Sequence, residues 1–196
     1  MRIVVFGASG RTGSLVVTQA LDRGHDAVAV VRPGSSASFD GRVRAVIGDP
    51  GNAGVVEEAV RGADAVVSVL GPVAGVTTTE ISDATRTIVD VMERTGPARL
   101  VVAANGRIFD DDPATGEYAN VTGEHRRNAR IVRSSGLAWS LVAAPYLKDD
   151  LPAGPYEVAV DGKALGRSIG RASFATALLD ALERDDWAGH AVGVSG

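Results

Sequence analysis

Short, almost unbroken apolar runs alternate along this chain with longer stretches whose apolar residues recur every three or four positions. Residues 2–6, 26–31, 43–47, 65–70, 100–104 and 139–143 are runs rich in Val, Ala, Ile and Leu, the pattern of strands covered on both faces. Between them, Leu15, Val16, Ala20 and Leu21 recur at helical spacing before Gly24, and residues 53–60 form a second helical stretch. Ile81, Ala84, Ile88 and Met92 share one face of a third helix, which follows the capping-box pattern Thr77-Thr78-Thr79-Glu80 and stops at Gly96-Pro97. Residues 118–135 predict a fourth helix, and Phe174, Leu178 and Leu182 mark the apolar face of a last one. This alternation predicts an α/β fold, a doubly wound parallel sheet joined by right-handed crossovers with helices on both faces. No internal repeat, low-complexity tract or linker interrupts it. At 196 residues and 45% hydrophobic content, residues 1–196 are expected to form one domain around one substantial core.

The first strand runs directly into Gly7-Ala8-Ser9-Gly10-Arg11-Thr12-Gly13. Gly7 suits the tight turn, Gly10 lets backbone N–H groups approach a pyrophosphate, and Gly13 lets the helix pack close to the strand, with the helix N-terminus facing the phosphates. A glycine motif placed between strand and helix, with a second strand ending beside Arg32, predicts a Rossmann-type dinucleotide site. Arg32 stands about twenty residues beyond the last glycine, where an acidic residue would hydrogen-bond an NAD ribose. A cation there pairs with a 2′-phosphate, so NADPH is the expected cofactor, with Ser35 and Ser36 as further donors. The alternative for Arg32 is a solvated residue at a strand end.

Composition removes several other classes. The absence of cysteine excludes a disulfide framework and a thiol nucleophile, and the first strand begins at residue 2 without a leader-like segment, so a cytoplasmic protein is expected. No apolar run approaches the ~20 residues that span a bilayer, and the formal charge of −4 argues against nonspecific nucleic-acid binding. His25, His125 and His190 are too scattered for a zinc site, and Asp110-Asp111-Asp112-Pro113 reads as a solvated turn, so no metal is expected. Gly166-Arg167-Ser168-Ile169-Gly170 matches a nucleophile elbow with Asp180, Asp185 and His190 following it. Too little chain remains to carry the strands a hydrolase needs, and a capped start to the last helix is expected there instead. Arg126, Arg130 and Arg133 form a helical stripe expected to be a solvated face.

In a doubly wound sheet ligands bind beyond the carboxyl ends of the strands. This selects the glycine loop, Arg32 to Ser36, Asp49-Pro50, Leu70-Gly71-Pro72, Asn105-Gly106-Arg107 and Pro145-Tyr146. Gly7, Ser9, Gly10, Arg11, Thr12, Gly13, Arg32, Ser35, Asp49, Leu70, Gly71, Asn105 and Pro145 are therefore the expected cofactor contacts. Asp49 either bonds the adenine amino group or is a helix N-cap or turn former before Pro50.

Phe6 to Gly13, Val31-Arg32, Gly48-Asp49, Leu70-Gly71, Val121-Thr122 with His125, Ser135-Gly136-Leu137, and Gly154-Pro155-Tyr156 through Asp161-Gly162 together resemble the atypical short-chain dehydrogenases/reductases. The similarity runs nearly end to end, and within that group it points to the biliverdin-IXβ and NADPH-dependent flavin reductases. It implies an NADP-binding Rossmann domain with a shallow pocket, delivering hydride to tetrapyrroles, flavins or other flat conjugated acceptors. Two positions depart from the pattern: Gly106 replaces the serine after the fifth strand, and Tyr146 replaces the histidine after the sixth. Where the wider superfamily has a tyrosine and a lysine four residues apart, this chain has Val121 and His125, and Tyr118 is out of register.

Hydride transfer to a conjugated acceptor does not require that pair, because positioning supplies much of the rate and water can supply the proton. The expected catalytic contacts are Tyr146, which can stack on a planar ligand, and His125, which can donate to the nicotinamide ribose. The alternatives are a ring capping the core and a helix-surface or packing histidine. The expected partner is a small planar or conjugated substrate bound by a monomer or weak homo-oligomer. Two other readings stay open: an NADP(H)-binding regulator or scaffold, and a ketoreductase or isomerase using Tyr146 or Tyr118.

Overall fold

A computed structural model describes residues 1–72, 78–113, 115–116 and 118–196. The strands of the first half are β1 (Arg2–Phe6), β2 (Asp26–Val31), β3 (Arg44–Ile47) and β4 (Ala65–Ser68). Those of the second half are β5 (Arg99–Asn105), β6 (Ala138–Ala144), β7 (Tyr146–Lys148), β8 (Glu157–Val160), β9 (Ser168–Gly170) and β10 (His190–Ser195). The helices are α1 (Arg11–Asp22), α2 (Ala53–Val60), α3 (Glu80–Thr95), α4 (Ala119–Arg133) and α5 (Arg171–Glu183). Among the described residues eight strands form the central sheet in the order β3-β2-β1-β4-β5-β6-β10-β8, parallel except for β8, which runs antiparallel to β10. β7 and β9 pair in a small parallel sheet of their own.

The unbroken apolar character of β1 follows from its position between β2 and β4. Ile3 and Val5 pack on the side of α1 and α5 with Val16, Ala20, Leu178 and Leu182, while Val4 and Phe6 pack on the side of α2, α3 and α4 with Val56, Ile88, Met92 and Val132. Both faces are buried, so both alternate positions must be apolar.

The structure adds β10 to the sheet beside β6 and appends β8, β7 and β9, so six strands from the sequence become ten among the described residues. Part of the expected capping box, Thr77, lies outside the described residues. At the start of α3 the Thr78 hydroxyl accepts the Glu80 backbone N–H at 3.0 Å, and the Thr79 hydroxyl donates to Asp83 at 2.7 Å. The Gly166 to Gly170 segment is not a side-chain-capped helix start. Ser168 pairs with Tyr146 in the β7–β9 ladder, and Gly170 stands at the N-cap of α5 without a side-chain cap. Asp180 is held by Arg23 and Tyr156, and His190 by Asp161, so no hydrolase triad forms. The arginine stripe is also not wholly solvated: Arg126 donates to the carbonyls of Arg107, Asp110 and Asp112 and ties α4 to that loop.

Candidate functional site

The chain leaves β1, builds β2 and β3 outward on one side, and returns to place β4 on the other side of β1. The strand order reverses there, which opens a crevice beyond the carboxyl ends of the strands. A cavity of about 430 Å³ lies in it, lined by the loop from Gly10 to Gly13, by Leu70 and Gly71 after β4, by Asn105, His125 and Pro145, and by Arg171 and Phe174 of α5.

The glycine loop has the shape its residues predict. Gly7 adopts φ +80, which a side chain would strain, and a Cβ at Gly13 would lie 2.1 Å from the Gly7 carbonyl oxygen. A Cβ at Gly10 would sit 3.2 Å from that same oxygen. Gly10 is the N-cap of α1, no side chain caps the helix, and its first turn holds no acidic residue. The leading N–H groups of α1 therefore face the crevice without a side-chain cap of their own.

Both helices that open on this crevice begin with arginine, Arg11 in α1 and Arg171 in α5. A cation is disfavoured at a helix N-terminus, where the dipole is positive, so the pair concentrates positive potential. Asp149, just after β7, balances it. Its carboxylate accepts from Arg11 Nη1 at 2.8 Å and from the Nε of Arg171, whose Nη1 donates to Thr12 Oγ1 at 3.0 Å. The Arg171 side chain is only 11% exposed. Its hydrogen bonds hold the Asp149 carboxyl below the usual carboxylate range. Neither Arg171 nor Asp149 was expected from the sequence, although an arginine opening a helix is a signal, because its own dipole opposes it.

His125 projects from α4 into the same cavity wall. Its Nδ1 is shut off from solvent and meets no hydrogen-bond partner among the described residues. Burial pulls its pKa down to about 4, against a smaller opposing effect of Glu124, so the imidazole is neutral near pH 7. Beside it, the fully buried Glu124 accepts from Arg127 Nε at 2.8 Å and from the Ser82 backbone N–H at 2.7 Å, locking α4 to the start of α3.

A second cavity, about 790 Å³, adjoins the first and shares Asn105, Pro145 and Leu147 with it. Phe109, Tyr118, Tyr146 and Leu165 give it apolar walls, and Arg107, Lys163 and Arg167 give it positive charge. Tyr146 is 73% exposed, so it is a rim residue and not a cap on the core. Asn105 divides the two cavities, its side chain accepting the Arg107 N–H at 2.6 Å.

Leu70, Gly71, Asn105, Pro145 and His125 thus gather with Gly10, Arg11, Thr12 and Gly13, while Gly7 and Ser9, in the same loop, line neither cavity. Arg32, Ser35 and Asp49 are exposed at the ends of β2 and β3 and line neither cavity. The Ser35 hydroxyl accepts from Ala37 N at 3.2 Å, and Asp49 accepts from Gly51 N at 2.7 Å as a turn former. Asp110 pairs with Lys163 and Asp112 with Arg107, and no acidic or histidine cluster able to hold a metal occurs among the described residues. No helix among them is long and apolar enough to cross a membrane.

Comparison with known proteins agrees with this geometry. An uncharacterised protein of Bacillus subtilis (strain 168), YwnB, is 26% identical over 95% of this chain and 94% of its own length. The fold matches the crystal structure of a candidate NADH-flavin reductase from Streptococcus pneumoniae TIGR4, with TM-score 0.85 and 20% identity over 100% of this chain and 99% of that one. It also matches a short-chain dehydrogenase/reductase from Veillonella parvula DSM 2008 solved in complex with NADP, with TM-score 0.82 and 18% identity over 100% and 94% of the two chains. The model of the NAD(P)H-binding family matches residues 7–185, from the first glycine of the loop to just past the end of α5, and the chain belongs to that family.

Proposed function

We propose that the protein is an NADPH-dependent reductase that passes hydride to a flavin, a biliverdin-like tetrapyrrole or another flat conjugated acceptor such as a quinone. The observation that carries this reading is the pair of adjoining cavities: one is built on a dinucleotide loop, the other is walled by aromatic side chains, and Asn105, Pro145 and Leu147 belong to both. The residues present fit the cofactor. The uncapped N-terminus of α1, with Arg11 and Arg171, would hold the pyrophosphate, and His125 would hydrogen-bond the nicotinamide ribose. Arg32, whose guanidinium has no ion pair among the described residues, would take the 2′-phosphate with Ser35 beside it. Asp49 keeps one carboxylate oxygen for the adenine amino group. Bound NADPH supplies the hydride.

The chain's own residues then have to orient the acceptor. Tyr146 and Tyr118 stack on a planar ring, Phe109 and Leu165 extend the apolar wall, and a water can deliver the proton, so Val121 and Gly106 need not end activity. Absorbance of NADPH is followed with FMN, biliverdin and a simple quinone offered in parallel, against a control without protein. Oxidation with any of them supports the reductase, whereas NADPH binding without oxidation by all three overturns it in favour of an NADP(H)-binding regulator. In the same assay Arg32→Ala should weaken NADPH by about tenfold and leave NADH within about twofold. Equal losses would remove the 2′-phosphate assignment. Unchanged turnover in Tyr146→Phe and Tyr118→Phe would exclude an essential phenol, and with it the ketoreductase or isomerase reading.

A further inference from the structure

We infer that the second cavity selects an acceptor bearing a phosphate or carboxylate group, and that Arg167 is the residue that binds it. This deepens the reading of that cavity as the acceptor site and rests on it. The protein carries a net charge of −4, yet the described residues lining this cavity include three cations and no acidic residue. Two of the three are already neutralised from outside. Lys163 Nζ lies 2.9 Å from Asp110, and Arg107 lies 2.8 Å from Asp112 and 3.8 Å from Asp110. Arg167 has no ion pair or side-chain hydrogen bond among the described residues, and it is exposed at the cavity rim.

A solitary arginine on a surface is ordinary. What distinguishes this one is where the β7–β9 ladder holds it. Tyr146 stands opposite Ser168, and the Tyr146 backbone N–H donates to the Arg167 carbonyl at 3.4 Å, so the aromatic residue and the guanidinium-bearing residue are neighbours on one rim. Leu165, two residues before Arg167, is 95% exposed, and Tyr118 and Tyr146 are the other large exposed apolar residues lining the cavity. Apolar surface left open beside an unneutralised guanidinium suits a ligand with a flat apolar body and an anionic tail. The planar fork of arginine matches the oxygens of a phosphate or carboxylate, and such charge-assisted bonds are about twice as strong as neutral ones. A neutral acceptor would leave that contact unused.

Riboflavin and FMN test this, since they share one ring system and differ by a phosphate. Quenching of flavin fluorescence is titrated with protein held saturated by NADP⁺, in wild type and in Arg167→Gln. We expect FMN to bind about tenfold more tightly than riboflavin, and the variant to reduce that ratio to about twofold with riboflavin affinity unchanged. In turnover the same variant should raise KM for FMN and leave kcat in place. Equal wild-type affinities, a parallel loss for both flavins in the variant, or no saturable quenching by FMN would overturn the inference. If FMN is preferred through Arg167 but NADPH is never oxidised, the hydride-transfer reading falls and the anion site stands. If both flavins are reduced with equal KM, the reverse holds.

Discussion

Asp149 occupies the place of an anion. Its carboxylate bridges the arginines that open α1 and α5, beside the helix end where a pyrophosphate would lie. A cofactor that takes up those two guanidinium groups must displace the carboxylate, so Asp149 competes with it. Asp149→Asn keeps the shape and removes the charge, and it should tighten NADPH binding about three- to tenfold, measured by titration calorimetry. Weaker binding would mean that Asp149 instead holds Arg171 in place for the ligand. A second residue sets a pH dependence. The His125 pKa falls from 6.5 to about 4 through burial, so the folded protein refuses a proton that the unfolded chain accepts in that window. Its contribution to stability is full above pH 6.5 and is lost as the pH falls toward 4. Between about pH 7.5 and about pH 5, wild type should lose about 2 kcal/mol more than His125→Gln in urea unfolding. Identical losses in the two proteins would show that the imidazole is solvated.

At the scale of elements, the buried Glu124 links two helices that the sheet alone does not align. It serves α3 as a cap from another helix, accepting the Ser82 N–H, while Arg127 of its own helix neutralises it and donates to the Thr78 carbonyl at 3.2 Å. Glu124→Gln would place an amide against Arg127 and should cost about 3 kcal/mol in urea unfolding, because one partner of a buried pair loses its charge. A cost near zero would mean that α3 is held by its apolar face alone. The elements the sequence shows well include the strands buried on both sides. β1 and β2 appear with their full bounds, and α2 matches residues 53–60. The misread elements cluster at the far end, for physical reasons. β8 is a four-residue edge strand with one neighbour, so its valines Val158 and Val160 stay exposed and no long buried run marks it, and β7 and β9 are three residues long. β10 lies inside the sheet but carries Gly193, where a Cβ would meet the Gly162 carbonyl oxygen at 2.3 Å, and this glycine disguises a strand. The site divides along the same line. The glycine loop is local and therefore legible, whereas Arg171 reaches Thr12 across 159 positions and its role depends on the fold bringing both helix ends together.

The whole molecule carries more acid than base, 24 against 20 residues, and yet its two cavities concentrate cations: Arg11 and Arg171 in the first, Arg107, Lys163 and Arg167 in the second. A local positive field on a negative protein attracts anions into the clefts and repels them elsewhere, and salt weakens both effects. The screening length falls from about 30 Å at 0.01 M salt to about 3 Å at 1 M, so the field reaches across either cavity at low salt and stops at contact distance at high salt. With NADP⁺ held saturating, the dissociation constant of FMN should rise several-fold between about 0.01 M and about 0.5 M sodium chloride, and that of riboflavin should stay within about twofold. Arg167→Gln should flatten the FMN slope, because it removes the cation that no carboxylate offsets, whereas Lys163→Gln should change it less, since Asp110 already neutralises Lys163. An FMN slope unchanged by Arg167→Gln would assign the attraction to the summed field of both cavities and would separate long-range steering from recognition by one residue.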